Sequence, residues 1–212
     1  MTLANKLTFV RLGLVPVFMA ALAFPHFWSR VFALVIFVGA ALTDYYDGQL
    51  ARRTGTITRI GTLMDPLADK LLVAAALIGF VEIHELHIPA WIVVLIICRE
   101  FLITGLRSLA AARGTVMAAE SAGKWKTAIQ MTTVIIILLI LILNRALEHW
   151  PVLFAAWPHD VLENILSTLH HAPLVLMSLT MMVTVLSGGL YIRKYRRLLR
   201  EELAMNKTPM RR

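Results

Sequence analysis

The chain has one cysteine, few charges and no glycine-rich nucleotide loop, and each scarcity removes a class of protein. Cys98 alone cannot form a disulfide within a chain, and its place inside an apolar run reads as packing rather than reactivity. Charged residues make up 16% of the sequence against 58% hydrophobic, with a mean hydropathy of +0.73. That balance excludes an ordinary soluble domain. No Walker-type phosphate loop, no Ser-His-Asp order with a local signature and no internal repeat stands out. A cleavable leader is not evident either, because the first apolar run lacks a small-residue cleavage site and reads as a span. The 212 residues predict an all-α integral membrane protein built as one bundle.

What is present is a series of apolar runs. Six candidate spans of about 20 residues, the length a bilayer core requires, fall at 6–24, 27–47, 63–83, 88–109, 126–147 and 173–192. The bundle is thus expected over 1–192, followed by a basic tail over 193–212. An even number of spans puts both termini on one side. The N-terminal flank, the links after spans two and four, and the tail hold 17 of the 21 Lys and Arg. Arg30 and Arg145 are on the opposite side, and Lys70 and Arg99 lie within spans. The positive-inside rule then predicts cytoplasmic termini and basic loops. The net charge of +8 reads as attraction to an anionic membrane face, with no nucleic acid as partner. Lys6 and Arg11 are expected to snorkel to lipid headgroups.

The densest chemistry lies between Asp44 and Asp69. Asp44 and Asp47 are at i,i+3, and Asp65 and Asp69 at i,i+4, so on helices each pair shares a face. Carboxylates at the ends of apolar runs are costly and rare. Gly48 and Ala51 fall on the side of the first pair, and Gly61 precedes Asp65 by one turn, which lets a bulky ligand approach the backbone. Helix is predicted to continue through Arg52, to break at Thr54-Gly55-Thr56 and to restart at Gly61. Four hard oxygen donors without His or Cys suit Mg²⁺ or Mn²⁺ rather than Zn²⁺. An N-cap or a solvated carboxylate would explain one such Asp, but not four at turn spacing beside glycines.

Other polar groups are read in the same way. Arg99 and Glu100 are adjacent, about 100° apart on a helix, and are expected not to pair directly. Arg107, eight residues after Arg99, is placed near the same face, and Arg113, Glu120, Lys124 and Lys126 follow. A basic set on the same side as four carboxylates suggests a divided site, with metal on one wall and phosphate on the other. Glu82, His84, Glu85 and His87 are across the membrane and read as a solvated turn rather than a metal site. The segment from 147 to 172 carries Trp-Pro pairs and four His, and 160–169 is expected to form a short interfacial helix.

The pattern D44-x2-D47-G48-x2-A51-R52-x8-G61-x3-D65-x3-D69 resembles the signature of the CDP-alcohol phosphotransferases at every fixed position. Tyr45-Tyr46 departs from the tryptophan more common after the first Asp. Further stretches, N5-K-L-T8-x2-R11, D65-P-L-A-D69-K70, R99-E100-x6-R107 and G123-K124-W-K126-T127-x2-Q130, are similar to the bacterial branch whose acceptor is glycerol 3-phosphate. The resemblance implies a six-helix enzyme of the bacterial inner membrane, a homodimer, with its site open to the cytoplasm. It implies two divalent metal ions on Asp44, Asp47, Asp65 and Asp69, with Asp69 also taking the proton of the acceptor hydroxyl. CDP-diacylglycerol would lie along Gly48, Ala51 and Gly61, with Arg52 on a phosphate and Asn5 and Thr43 on the nucleotide side. Arg107, Arg113, Lys124 and Lys126, supported by Arg99, would take the phosphate of sn-glycerol 3-phosphate. Three alternatives remain: another acceptor such as inositol phosphate, serine or phosphatidylglycerol; an intramembrane prenyltransferase; and a divalent-cation transporter. The prenyltransferase needs a second Asp-rich motif, and the transporter needs carboxylates spread through the membrane depth.

Overall fold

A computed structural model describes the backbone of residues 3–54, 59–112, 121–151 and 157–205, and side chains over 9–43, 70–108, 110, 125–151, 157–158 and 160–195. The described residues form six α-helices and no strand. They are α1 (Leu3–Ala23), α2 (Phe27–Thr54), α3 (Arg59–Glu82), α4 (Ala90–Ala112), α5 (Ser121–His149) and α6 (His159–Met205), with a 3-10 turn at His84–Leu86. Each of the six apolar runs falls on one of these helices. Among the described residues, Trp125–His149 and Asp160–Tyr195 are long and apolar enough to cross a membrane.

The connections follow from local chemistry. Pro25 ends α1 by removing a backbone donor. The open carbonyls at the end of α1 are then capped by side chains of α2: Ser29 Oγ donates to Ala21 O at 2.7 Å, and buried Arg30 donates to Leu22 O. After α3 the chain turns through His87, whose φ of 50° is left-handed, and α4 starts just beyond Pro89. α1 packs on α2 and α3, α4 on α3 and α6, and α5 on α2 and α6. The core between them holds Phe18, Leu22, Phe37, Leu77, Phe80, Ile96, Leu138 and Met177, all fully buried. Rings of Phe18 and Phe37 meet at 6.0 Å between centroids. At Gly79 a side-chain carbon would sit 2.5 Å from Leu22 Cδ2, so glycine sets the close approach of α1 and α3. Outside, Trp28, Phe32, Val35, Trp91, Val94 and Leu186 are exposed, an apolar exterior suited to lipid.

Four expectations are corrected. Arg11 is 5% exposed, so it is buried in the bundle rather than extended to headgroups. Cys98 is exposed on the outer face of α4 instead of packed within it. The predicted interfacial helix at 160–169 is not separate, because α6 runs unbroken through Pro173. Proline there removes one backbone bond, but its buried ring packs inside the bundle and the helix persists. Finally, α3 begins at Arg59, two residues before Gly61. Of the helix break expected at 54–56, Thr54 is still helical, and residues 55 and 56 lie outside the described ones. α6 also continues past the start of the basic tail to Met205.

On the side of the α3–α4 turn, Glu82, His84, Glu85 and His87 are exposed, as a solvated turn should be. Glu85 pairs with Arg145, which also holds Glu148 at 2.6 Å, tying the turn to the end of α5. The His87 and His170 rings lie 4.6 Å apart between centroids.

Candidate active site

The Asp stretch folds as two helices. Asp44, Asp47, Gly48, Ala51 and Arg52 are on the last turns of α2, and Gly61, Asp65 and Asp69 on the first half of α3. The short link between α2 and α3 brings both pairs to one end of the bundle. Their helical register is the expected one, i,i+3 and i,i+4, but their side chains lie outside the described residues. The same holds for Asn5 on α1 and Lys124 on α5, and Arg113 lies outside entirely. Thr43 is described: its Oγ1 donates to Gly39 O at 2.7 Å, the usual back-bond of a helical threonine.

One residue beyond Asp69 the described side chains begin, and they form a charge cluster across three helices. Glu100 of α4 is its centre. Lys70 Nζ of α3 lies 2.9 Å from Glu100 Oε2, and Lys126 Nζ of α5 lies 2.5 Å from Oε1. Arg99 Nη1 reaches the same Oε1 at 2.8 Å, which corrects the expectation that the adjacent pair does not meet. The Cβ atoms do diverge, but the arginine side chain is long enough to fold back along the helix. Among the described residues, three cations share one carboxylate, two positive charges in excess. Lys126 is 3% exposed and Glu100 13%, so little water screens them. Beside the cluster is a cavity of about 40 Å³, lined among others by Lys70, Glu100, Lys126, Thr127 and Gln130. It has room for a water or two.

Of the five cations assigned to the acceptor, Arg99 and Lys126 are brought together here, and Lys70 joins them. Arg107 is exposed and apart from them. Eight residues turn a helix about 80° past two full turns, so Arg107 does not share the face of Arg99. The face of α4 toward α6 is instead Arg99, Ile103, Leu106 and Ala110, with Tyr191 and Tyr195 opposite.

Below the cluster runs a buried polar seam between α5 and α6. Lys126, Gln130 and Thr133 follow one another at i, i+4 and i+7 on α5, and Thr180, Thr184 and Ser187 do so on α6. Thr133 and Thr180 share a hydroxyl bond of 2.7 Å. Sequence reasoning missed Glu100 as the centre and the α6 residues altogether. The signal was there: a Glu inside an apolar run needs a cation, and hydroxyls at helical spacing need a facing partner.

The family profile described as CDP-alcohol phosphatidyltransferase matches residues 1–159. The chain belongs to that family. Among its relatives, the CDP-diacylglycerol–glycerol-3-phosphate 3-phosphatidyltransferase of Bacillus subtilis (strain 168) is 42% identical over 149 residues, covering 65% of this chain and 76% of the relative. A probable phosphatidylglycerophosphate synthase of Mycobacterium tuberculosis (strain H37Rv) is 39% identical over 193 residues, covering 90% of this chain and 79% of the relative. The 3-phosphatidyltransferase of Pseudomonas fluorescens is 35% identical over 182 residues, covering 75% and 92%. With its apolar helices and exterior, the chain is a membrane protein.

Proposed function

We propose that the protein transfers the phosphatidyl group of CDP-diacylglycerol to sn-glycerol 3-phosphate, giving phosphatidylglycerophosphate and CMP. The observation that carries this reading is the adjacency on α3 of the Asp65/Asp69 face and Lys70, which opens the excess-positive cluster. A phosphorylated acceptor needs such cations next to its reacting hydroxyl. Relatives that carry the same activity in their names support it.

The donor set of Asp44, Asp47, Asp65 and Asp69 is all hard oxygen and fits two divalent ions, Mg²⁺ or Mn²⁺. When bound, such ions neutralise charge on the pyrophosphate and on the departing CMP. Asp69 takes the proton from the acceptor hydroxyl. That oxygen forms its bond to the phosphorus bearing diacylglycerol as the bond from this phosphorus to the CMP oxygen breaks. Gly48, Ala51 and Gly61 let the nucleotide approach the helices, Arg52 meets a phosphate, and Asn5 and Thr43 are on the nucleotide side. Arg99 and Lys126, with Arg113 and Lys124, bind the acceptor's phosphate, and Arg107, off their face, is left out of that set.

The same reading places six spans in the bacterial inner membrane, with both termini and the site on the cytoplasmic side. The cation distribution supports that orientation. Residues 1–192 form the enzyme domain and the basic tail 193–212 an anchor to anionic lipid. The active form is a homodimer.

Purified protein with Mg²⁺ and CDP-diacylglycerol, offered each acceptor in turn, tests the proposal. Turnover is expected with glycerol 3-phosphate and lost on chelation of the metal. Product with serine, inositol phosphate or phosphatidylglycerol instead would move the chain to a sister activity. Metal flux into proteoliposomes without CMP release would favour a transporter. Lys126→Ala removes a buried charge-assisted contact and is expected to raise KM for glycerol 3-phosphate by about 10- to 100-fold. Equal loss for CDP-diacylglycerol would take Lys126 out of the acceptor pocket.

A further inference from the structure

The cation cluster is completed by a helix that starts where the family match ends, since α6 begins at His159. Ser187 Oγ accepts a hydrogen bond from Arg99 Nη2 at 3.0 Å. Gly188 lies under the arginine stem: a side-chain carbon there would be 2.9 Å from Arg99 Cγ and 3.1 Å from Nε. Arg99 therefore crosses α6 where only glycine leaves space, with its guanidinium held between Ser187 and Glu100. The crossing point is fixed from both sides. Toward one end of α6, Tyr191 packs on Ile103 and Ala110; toward the other, Thr180 bonds Thr133 of α5.

We infer that Ser187 and Gly188 are positioning residues for the phosphate of the acceptor, holding Arg99 so that it joins Lys70 and Lys126 as one preformed anion receptor. This rests on the proposed acceptor reading. A free arginine explores many rotamers, and ordering it only when substrate arrives would weaken binding. A guanidinium already fixed by two partners avoids that cost, and each Nη, carrying two hydrogens, keeps one for a phosphate oxygen. Glu100 keeps the three cations together and, among the described residues, leaves the excess charge that a dianion matches. Lys70, Lys126 and Arg99 come from three different helices, and α6 is the fourth wall that sets the last of them.

The test is steady-state kinetics on the full-length enzyme with each substrate varied in turn. Gly188→Ala and Ser187→Ala are each expected to raise KM for glycerol 3-phosphate about tenfold or more, as misplacement of a binding group does. KM for CDP-diacylglycerol should stay within about twofold and kcat at saturating acceptor near wild type, because uniform binding is lost. Ser187→Thr keeps the hydroxyl and is expected to restore KM. Gly189→Ala is the control, since a side-chain carbon there meets nothing within 4 Å. If Gly188→Ala does not fold, the Ser187→Ala and Ser187→Thr pair decides alone. Unchanged acceptor KM, equal shifts for both substrates, or a threonine variant as impaired as alanine would overturn the inference. A wild-type protein inactive with glycerol 3-phosphate would sink the proposed function as well. An active wild type with unaltered variants sinks only this inference.

Discussion

Asp69→Asn is expected to abolish turnover while CDP-diacylglycerol still binds. The substitution keeps the size of the side chain and one oxygen donor, but removes the group proposed to accept the hydroxyl proton. Loss of a general base costs on the order of 10²- to 10⁴-fold in rate. On the proposed reading, binding of the lipid nucleotide depends on the remaining carboxylates and on the small residues Gly48, Ala51 and Gly61, which the change leaves in place. CMP release measured beside CDP-diacylglycerol affinity separates the two effects. A rate near that of the wild type would refute the base assignment, and a matched loss of affinity would make Asp69 a ligand only.

The second large effect concerns stability. Glu100→Ala leaves Lys70, Arg99 and Lys126 facing one another without the carboxylate they share among the described residues. Removing one partner of a buried ion pair costs about 3–5 kcal/mol, mainly because the stranded charge has no solvent to turn to. Here three charges are stranded, so a marked fall in the detergent-solubilised melting temperature is expected. Glu100→Gln fills the volume but not the charge and should recover only a small part. The double variant Glu100→Ala, Lys126→Ala should be less damaged than the sum of its parts, because the second change removes one of the repelling cations. Simple additivity in that cycle would show that Glu100 does not balance Lys126.

Much of the architecture is readable from residue pattern because a bilayer allows few solutions. Apolar runs of span length become helices, as all six do. The extension of α2 past its apolar part was legible because the Asp, Gly and Arg positions repeat at helical spacing. The depth of α6 was not, since Pro173 suggests a boundary by its local chemistry and only packing keeps the helix whole. The charge cluster was half legible. Arg99 and Lys126 stand out as cations on the side of the Asp motif, but adjacent Cβ atoms on a helix diverge, which argues against an Arg99–Glu100 pair. The reach of an arginine side chain overrides the direction of its Cβ. Arg107 leaves the face of Arg99 because eight residues make two turns and a fraction rather than two turns. Arg11 and Cys98 show a further limit: spans tell which residues enter the membrane, not which side of a helix meets protein.

The hydroxyl seam also settles how α6 is oriented about its own axis. A purely apolar helix could spin in lipid with little change in energy, as hydrocarbon meets every face alike. Turning α6 by one position would carry Thr180, Thr184 and Ser187 out of the interior and toward acyl chains. Thr180 and Ser187 would then lose their partners Thr133 and Arg99 in a medium that offers none. These three modest side chains thus act as a key in a slot, admitting one azimuth for the last helix and with it one place for Gly188.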